Sequence, residues 1–373
     1  MQIKSLMLIF MLSAMLTTTT SSQSFTALAL SFGASSKGEA QKEVQMPEIK
    51  RNRPILRELK GGEAHDYRIS LKQGQYAHLV VEQHNIDVIV DVFDAAGKSL
   101  GEFDSPTGLS GTEQIRFVAE AAGEYRVVAR ALKTEAYGGS YEVTVKAIHK
   151  ATAQDKRIVA AIKAQMLGDE LRAKGETRLQ SLEQYAKALE LWRAARDRMG
   201  EASTLRAIGF AHVRLKDDQQ AYKHFNQSLT IWGKIGDRRS AAYIHLIFAT
   251  IHTRRGELAQ AVEERLQALP LWRILGDKIE EASTLAVIGL GYARLRDKTK
   301  ALDYSQQSLT LSRATGNHSL QANALFWFGE VCESLGETPQ ALDYFQQSLA
   351  LWRKMERRRQ EAELIKRIEK LKP

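Results

Sequence analysis

The sequence contains a single cysteine, Cys332, among 373 residues. This excludes an intramolecular disulfide and a metal site built from several thiolates. The apolar run LMLIFMLSAML (6–16) is shorter than the roughly 20 residues that a membrane-spanning helix needs. The patterns G-x-x-x-x-G-K-[ST], H-E-x-x-H and G-x-S-x-G are absent from the sequence, and GLGYAR (289–294) is typical of a helix interior rather than a phosphate loop. We therefore expect no enzyme, no cofactor and no metal site.

The N-terminus has the pattern of a secretory signal peptide. Lys4 precedes the apolar run, and the polar tract TTTTSSQS and the small residues Ala27 and Ala29 follow it. No cysteine lies nearby, so a lipoprotein anchor is excluded. We expect residues 1–30 to be a signal peptide, residues 31–50 a disordered linker, and the mature chain to be exported. The alternative is that the run at 6–16 is an N-terminal core helix.

The net charge of +9 belongs entirely to residues 151–373, because residues 1–150 contain equal numbers of acidic and basic side chains. Such basicity indicates an acidic partner or a basic solvated surface. Nucleic acid is not expected as a partner, because basic and aromatic residues do not alternate and an exported protein seldom meets nucleic acid.

Residues 51–150 alternate apolar and polar side chains with a period of two. HDYRISL (65–71), GEYRVVARA (123–131) and SYEVTVKA (140–147) each place every second residue on one face, as in half-buried antiparallel strands. Turn-forming segments separate them: KQGQ, DAAGK, SPTGLSG, AAGE and YGGS. The pattern predicts about eight short strands in a β-sandwich or jelly roll.

The segment beginning LKGGEAHDYRISLKQGQYAHLVV, with the later GEYRVVARAL and GGSYEVTV, resembles the pre-peptidase C-terminal family of β-sandwich modules. The resemblance covers about 95 residues and depends mainly on structural glycines and alternating apolar positions. It implies an accessory module of a secreted protein, without catalytic residues.

From residue 151 the period becomes helical, and the segments 200–239, 240–279, 280–319 and 320–359 align without a gap. The aligned columns contain Ala202, Ala242, Ala282 and Ala322; Ala221, Ala261, Ala301 and Ala341; and Trp192, Trp232, Trp272 and Trp352, with Ser312 as the one substitution. One such unit cannot bury its own apolar face, so we expect stacked helix pairs in a solenoid.

These units resemble the tetratricopeptide repeat. The large-small pair of its first helix is matched by Ile208-Gly209, Phe248-Ala249, Ile288-Gly289 and Phe328-Gly329. The aromatic column of its second helix contains Phe225 and Phe345 but also Arg265 and Ser305, and the closing proline is missing. The second helix should therefore run on through the Trp column and end at Gly236, Gly276 and Gly316 as C-terminal caps. Residues 151–373 are predicted to form about five helix pairs, the first of them atypical, and a capping helix.

The potentially reactive cysteine, histidine and aspartate side chains are interpreted as structural residues. Cys332, His212 and His252 occupy one column of the repeat, which favours buried packing residues over a nucleophile or metal ligands. The sandwich contains several acids, and turn or surface roles are favoured over calcium binding because no D-x-D-x-D-G loop is present: Asp87, Asp91, Asp94 and Asp104.

The resemblance to the repeat family implies a partner-binding groove lined by the first helix of each pair. The predicted groove residues are Arg206, Phe210, Arg214, Tyr243, Thr250, Arg254, Leu290, Arg294, Asn323, Phe326 and Glu330. Arg214, Arg254 and Arg294 recur at one-repeat spacing and could bind the carboxylates of an acidic peptide. The alternative is that these arginines are solvated and paired to neighbouring acids.

A signal peptide, β-sandwich and forty-residue repeats in this order resemble bacterial exported proteins of the TPR–CHAT type, in which a CHAT protease domain follows the repeats. This sequence ends at IKRIEKLKP, so we do not expect that protease domain. The preferred interpretation is a non-catalytic, exported bacterial scaffold for protein or peptide partners in the periplasm, at the cell surface or secreted. A glycan- or envelope-binding protein acting through the sandwich, and an accessory subunit of a separate protease, are the alternatives. Homo-oligomerisation is also open.

Overall fold

The computed structural model describes residues 46–104, 110–131 and 138–371. The predicted signal peptide lies outside the described residues, as do residues 31–45 of the predicted linker and parts of two predicted turns. Within the described ranges, eight strands are followed by eleven α-helices. The chain separates into two compact units, one ending at Lys216 and the other beginning at Asp217.

The strands form two four-stranded antiparallel sheets, with orders β1-β8-β3-β6 and β2-β7-β4-β5. Their bounds are β1 (Ile55–Leu59), β2 (Ala64–Leu71), β3 (Gln75–His84), β4 (Val88–Phe93), β5 (Ser99–Phe103), β6 (Ser110–Val118), β7 (Gly123–Ala131) and β8 (Gly139–Lys150). The pairs β1–β8, β2–β7, β3–β6 and β4–β5 are nested in sequence. This is the jelly-roll topology, so the predicted sandwich is confirmed.

The period-two pattern explains which face of each strand is buried. The alternating residues predicted to share a face are all buried: Tyr67, Ile69, Leu71, Tyr125, Val127, Ala129, Ala131, Tyr141, Val143 and Val145. They form one apolar cluster between the sheets. Ile49, from the predicted linker, joins this cluster at 2% exposure, and its N–H donates to the Arg68 carbonyl at 2.8 Å.

Three helices complete the first unit: α1 (Ala153–Ala173), α2 (Arg178–Ala195) and α3 (Arg198–Arg214), with a short 3₁₀ turn between α1 and α2. Met166 of α1 packs against the sandwich cluster. Arg116 of β6 pairs with Asp197 at 2.5 Å, and Asp197 also caps the N-terminus of α3 by accepting from the Gly200 N–H. The sandwich and the first helices are therefore bonded into one unit, although the secondary structure changes near residue 150.

The second unit contains eight helices within the described residues. They are α4 (Asp218–Ile235), α5 (Arg238–Arg255), α6 (Leu258–Leu275), α7 (Lys278–Arg294), α8 (Lys298–Ala314), α9 (His318–Leu335), α10 (Thr338–Lys354) and α11 (Arg358–Leu371). The three helices of the first unit and these eight agree in number with the predicted five pairs and a terminal helix. No helix in the described ranges is both long and apolar enough to cross a membrane.

The repeated glycine ends helices as the sequence predicts. Gly236 and Gly276 are C-caps in the left-handed conformation, at φ 81° and 67°, where a side chain would be strained. Gly316, at φ 68°, follows the C-cap Thr315. The Asp or Asn after each glycine caps the next helix, as Asp237 does by accepting from the Ser240 N–H. The short segment between helices thus contains both the C-terminal cap of one helix and the N-terminal cap of the next.

The small residue of the first helix makes room for the aromatic column of the second. A Cβ on Gly329 would lie 2.5 Å from Phe345, and one on Gly289 would lie 2.5 Å from the Ser305 hydroxyl. Such distances are too short for real contacts, so glycine is required there while these neighbours stay in place. The column that contains Phe345 and Ser305 therefore lies where the two helices of a pair approach closely.

Except at Gly233, arginines occupy the column where the family has its closing proline. Arg273 pairs with Glu281 at 3.0 Å, and Arg353 pairs with Glu361 at 2.8 Å. Each pair connects the end of a second helix to the first turn of the next helix. Arg193 and Glu201 form the same pair in the first unit at 2.8 Å. These three arginine-glutamate pairs stabilise the second helices that end at their junctions.

Candidate partner-binding surface

The predicted groove residues of the first unit lie on α3. Arg206 and Phe210 are half-buried and Arg214 is exposed. Burial lowers the pKa of Arg214, and the positive charges of Arg172 and Arg178 lower it further. Arg172, Arg178 and Arg214 therefore lie close enough in the first unit for their charges to interact.

In the second unit, Arg254 has an acidic partner. Its Nη2 lies 3.2 Å from the Asp218 carboxylate, which also binds Arg255 at 3.0 Å. The side chain of Arg254 remains 46% exposed. Thr250, one turn earlier, is half-buried and donates to the Leu246 carbonyl at 2.9 Å. Arg254 thus matches the interpretation of a solvated arginine paired to an acid.

Arg294, at the end of α7, differs from Arg254. It is exposed, and within the described residues no carboxylate forms an ion pair with it. Glu330 of α9 is near enough for Arg294 to affect its pKa, but the carboxylate of Glu330 is bound by Arg367 at 2.8 Å. Burial raises the pKa of Glu330 despite that arginine. Arg294 is therefore a basic side chain available to an external anion.

Three predicted groove residues are buried: Tyr243 at 4%, Leu290 at 3% and Phe326 at 8% exposure. Tyr243 meets the Trp272 ring edge-on, with centroids 5.0 Å apart, and donates to Glu280 at 3.1 Å. Phe326 packs against Phe345, with centroids 5.7 Å apart. These three side chains contribute to helix packing. In the second unit, the more accessible predicted residues lie on the first helix of each pair, which we call the A helix. They form the A-helix surface: Thr250, Arg254, Arg294, Asn323 and Glu330.

Arg265 of α6 is a charged residue that the predicted groove did not include. It is 8% exposed, and the one hydrogen bond it makes to the described residues is from Nη1 to the Ala261 carbonyl at 2.9 Å. Burial and the neighbouring Arg294 lower its pKa to about 10. The signal in the sequence is that arginine interrupts the aromatic column of Phe225 and Phe345.

Cys332 and His252 have structural roles, one as a buried side chain and the other as a hydrogen-bonded one. Cys332 is 1% exposed, and burial raises the pKa of its thiol to about 11, so the thiol is protonated at neutral pH and is a poor nucleophile. His252 uses both ring nitrogens, with the Tyr222 hydroxyl and the Glu257 carboxylate each 2.6 Å away. His212, in the same column of the first unit, is half-buried.

The acids of the sandwich are dispersed among separate contacts. Asp91 pairs with Arg130 at 2.7 Å, and Asp94 accepts from the N–H groups of Ala96 and Lys98 in a turn. Burial raises the pKa of Asp104 to about 6, aided by the nearby carboxylate of Glu102. Asp87 lies just before β4. Over the described ranges, no three His, Cys, Asp or Glu side chains are grouped as metal ligands.

Residues 299–354, which span α8 to α10, match the tetratricopeptide repeat family. Proteins of this family are generally non-catalytic scaffolds for protein–protein interaction, and the helix pairs described above have the corresponding fold. No curated protein is similar enough to this chain to count as a match.

Solved structures resemble parts of the chain at low identity. The apo form of RapI has a TM-score of 0.48 and 18% identity, over 55% of this chain and 74% of that chain. A STAND protein with a tetratricopeptide repeat sensor from Pyrococcus horikoshii has a TM-score of 0.42 and 18% identity, over 56% of this chain and only 34% of that one. The pre-peptidase C-terminal domain of collagenase from Bacillus anthracis has a TM-score of 0.23 and 18% identity, over 27% of this chain and 93% of that chain. These similarities concern the fold alone.

Proposed function

We propose that this protein is an exported, non-catalytic scaffold that holds a protein or peptide partner with acidic side chains on its A-helix surface. The observation that carries the proposal is Arg294. It is exposed on a first helix and has no ion pair within the described residues, while the neighbouring acid Glu330 is already bound by Arg367. An arginine without an internal partner readily binds a carboxylate from another molecule in bidentate geometry.

The charge of the repeat region supports an acidic partner. The net charge of +9 belongs to the repeat region, and opposite charge on a partner would steer association and fix its orientation. Thr250 lies one turn before Arg254, and its hydroxyl, which donates to the Leu246 carbonyl, can accept a hydrogen bond from such a ligand. Arg254 is partly neutralised by Asp218, so Arg294 is expected to contribute more to binding.

The experiment is affinity capture from the producing organism with the full chain as bait, followed by mass spectrometry. The wild-type chain should retain a partner that is lost when Arg294 is changed to Glu. The matched control is Arg313→Glu on α8, an exposed arginine outside the A-helix surface, which makes the same change in net charge. Equal retention by all three baits would contradict the proposed surface.

Export is part of the proposal and has its own test. The mass of the mature chain recovered from outside the cytoplasm should show removal of the N-terminal segment near Ala29 (residues 1–30). A cytoplasmic chain that begins at Met1 would contradict export and would leave the A-helix surface as a separate question.

A further inference from the structure

Arg265 occupies a position that the repeat usually fills with an uncharged residue. The equivalent side chains are Phe225, Ser305 and Phe345, all buried. Placing a guanidinium there removes a charge from water, which is costly unless a carboxylate pairs with it. The fold does not require this charge, since the other three repeats form the same helix pair without it.

The buried guanidinium has no acidic partner among the residues that the structure describes. Within the described ranges, its one hydrogen bond is to the Ala261 carbonyl, the same kind of i−4 contact that the Ser305 hydroxyl makes with Ala301 at 2.8 Å. A guanidinium has five N–H donors in a plane, so most of the donors of Arg265 have no acceptor among the described residues and are available to water or to a ligand.

A second arginine lies close to the first. α6 and α7 pack against each other through Val262 and Ile288, and Arg294, at the end of α7, is near enough to lower the pKa of the buried Arg265. Arg294 is exposed, and no ion pair neutralises it within the described residues. Two like charges beside each other, one of them buried, repel, and an anion bound to both would relieve this repulsion. Arg294 is exposed and Arg265 is buried. A ligand could therefore contact Arg294 at the surface and extend to Arg265.

We propose that Arg265 and Arg294 form a carboxylate-binding subsite that takes an Asp or Glu side chain of a peptide partner. The inference rests on the proposed function and identifies the two arginines that would bind the partner's carboxylate. Arg265 is then a ligand-binding residue kept at the expense of stability, as is common for charged groups at binding sites. Glu330 does not compete for the subsite, because Arg367 binds its carboxylate.

The test uses the full chain and a fluorescein-labelled hexaglutamate peptide, with binding followed by fluorescence anisotropy at low salt. Arg265→Phe restores the residue found at 225 and 345, and Arg265→Met provides a smaller apolar replacement. We expect each variant, and Arg294→Met, to weaken peptide binding by about tenfold or more, since each removes a charge-assisted hydrogen bond. Arg313→Met, with the same change in net charge, should change the affinity less than about twofold.

Urea unfolding of the same variants supplies the second measurement. Arg265→Phe or Arg265→Met should unfold at the same or a higher urea concentration than the wild-type chain, because an unpaired buried charge is removed. If both variants unfold at much lower urea, Arg265 is a structural residue and the subsite is wrong. Wild-type chain that does not bind hexaglutamate, or equal weakening by Arg313→Met, also contradicts the proposal.

Inorganic phosphate and acetate, added as competitors at equal ionic strength, distinguish the chemistry of the anion. Equal or better competition by acetate supports a carboxylate site, whereas much stronger competition by phosphate assigns the site to phosphate and overturns the proposal as stated. The two proposals fail separately. A native partner lost on Arg294→Glu but unaffected by Arg265→Phe would leave the scaffold function standing and exclude the subsite.

Discussion

At the scale of single residues, buried serines join the two helices of a pair. The Ser308 hydroxyl donates to the Ala282 carbonyl at 2.7 Å, and the Ser348 hydroxyl donates to the Ala322 carbonyl at 2.8 Å. Both serines are buried on second helices, and their acceptors lie on first helices. The serine column is visible in the sequence, but its interhelical hydrogen bond depends on how closely the helices approach.

Removing one of these serines should have a measurable cost. Ser348→Ala is expected to lower the free energy of unfolding by about 1 kcal/mol, since it deletes one buried hydrogen bond and leaves a carbonyl with fewer donors. Urea denaturation measures the change. Gln346→Ala, at an exposed position of the same helix, is the control for helix propensity. An equal effect of the two substitutions would show that the hydrogen bond contributes nothing.

Glu280 should give the second unit a pH-dependent stability. Burial and the nearby Asp277 raise the pKa of Glu280 from its ordinary value of 4.5 to about 7. The folded protein therefore binds this proton more tightly than the unfolded chain does. The stabilisation is fully present below pH 4.5 and is lost as the pH rises through about 7.

Glu280→Gln keeps a similar shape and cannot ionise. Between pH 4.5 and 7, the unfolding free energy of the variant should therefore decrease less than that of the wild-type chain. The comparison is of urea midpoints for both chains across this pH range, with Glu263→Gln on the exposed face of α6 as control. Identical pH profiles for wild type and Glu280→Gln would contradict the assigned pKa.

At the scale of helices, the arginine-glutamate pairs replace the closing proline as the junction between repeats. Glu281 is 7% exposed and receives Arg273 at 3.0 Å and Lys278 at 2.9 Å. The sequence predicts that the second helix continues past the usual proline. It did not predict the pairs, because Arg273 and Glu281 meet only after the left-handed cap at Gly276 reverses the chain.

A double-mutant cycle measures the contribution of this junction. Arg273→Met and Glu281→Gln, alone and together, should show a coupling energy of about 1 kcal/mol, the upper range for a pair with one exposed partner. Arg313, in the same column, has Gln321 eight residues later instead of Glu. Arg313→Met should therefore change stability by less than about 0.5 kcal/mol. A coupling energy near zero would show that the junction depends on packing alone.

At the scale of the whole chain, periodicity predicts most of the architecture. Alternation in HDYRISL and its relatives identifies the buried face of each strand, and the in-register Ala and Trp columns identify five helix pairs and a terminal helix. These patterns work because burial has a period of 2.0 in strands and 3.6 in helices. Contacts between distant segments have no such period, so the pairing of Arg116 with Asp197, which joins the sandwich to α3, is absent from the sequence pattern.

Only part of the candidate site could be predicted from the sequence. The repeat register places Arg254 and Arg294 at equivalent positions, but it does not show that Asp218 neutralises the first and leaves the second unpaired. Tyr243, Leu290 and Phe326 occupy groove positions of the family and are buried here. Arg265 was visible as a departure from an aromatic column. Its burial without an acid, which makes it a candidate ligand-binding residue, depends on tertiary structure.

The most direct test of the central claim is the affinity of the native partner, once captured, for a charge-reversed A-helix surface. We expect Arg254→Glu combined with Arg294→Glu to weaken binding by about a hundredfold or more, since two charge-assisted contacts of about 1.5–3 kcal/mol each become repulsive. The control, Lys223→Glu combined with Arg313→Glu, makes the same change in net charge at exposed positions of the second helices and should have little effect. Unchanged affinity in the first variant would contradict the account.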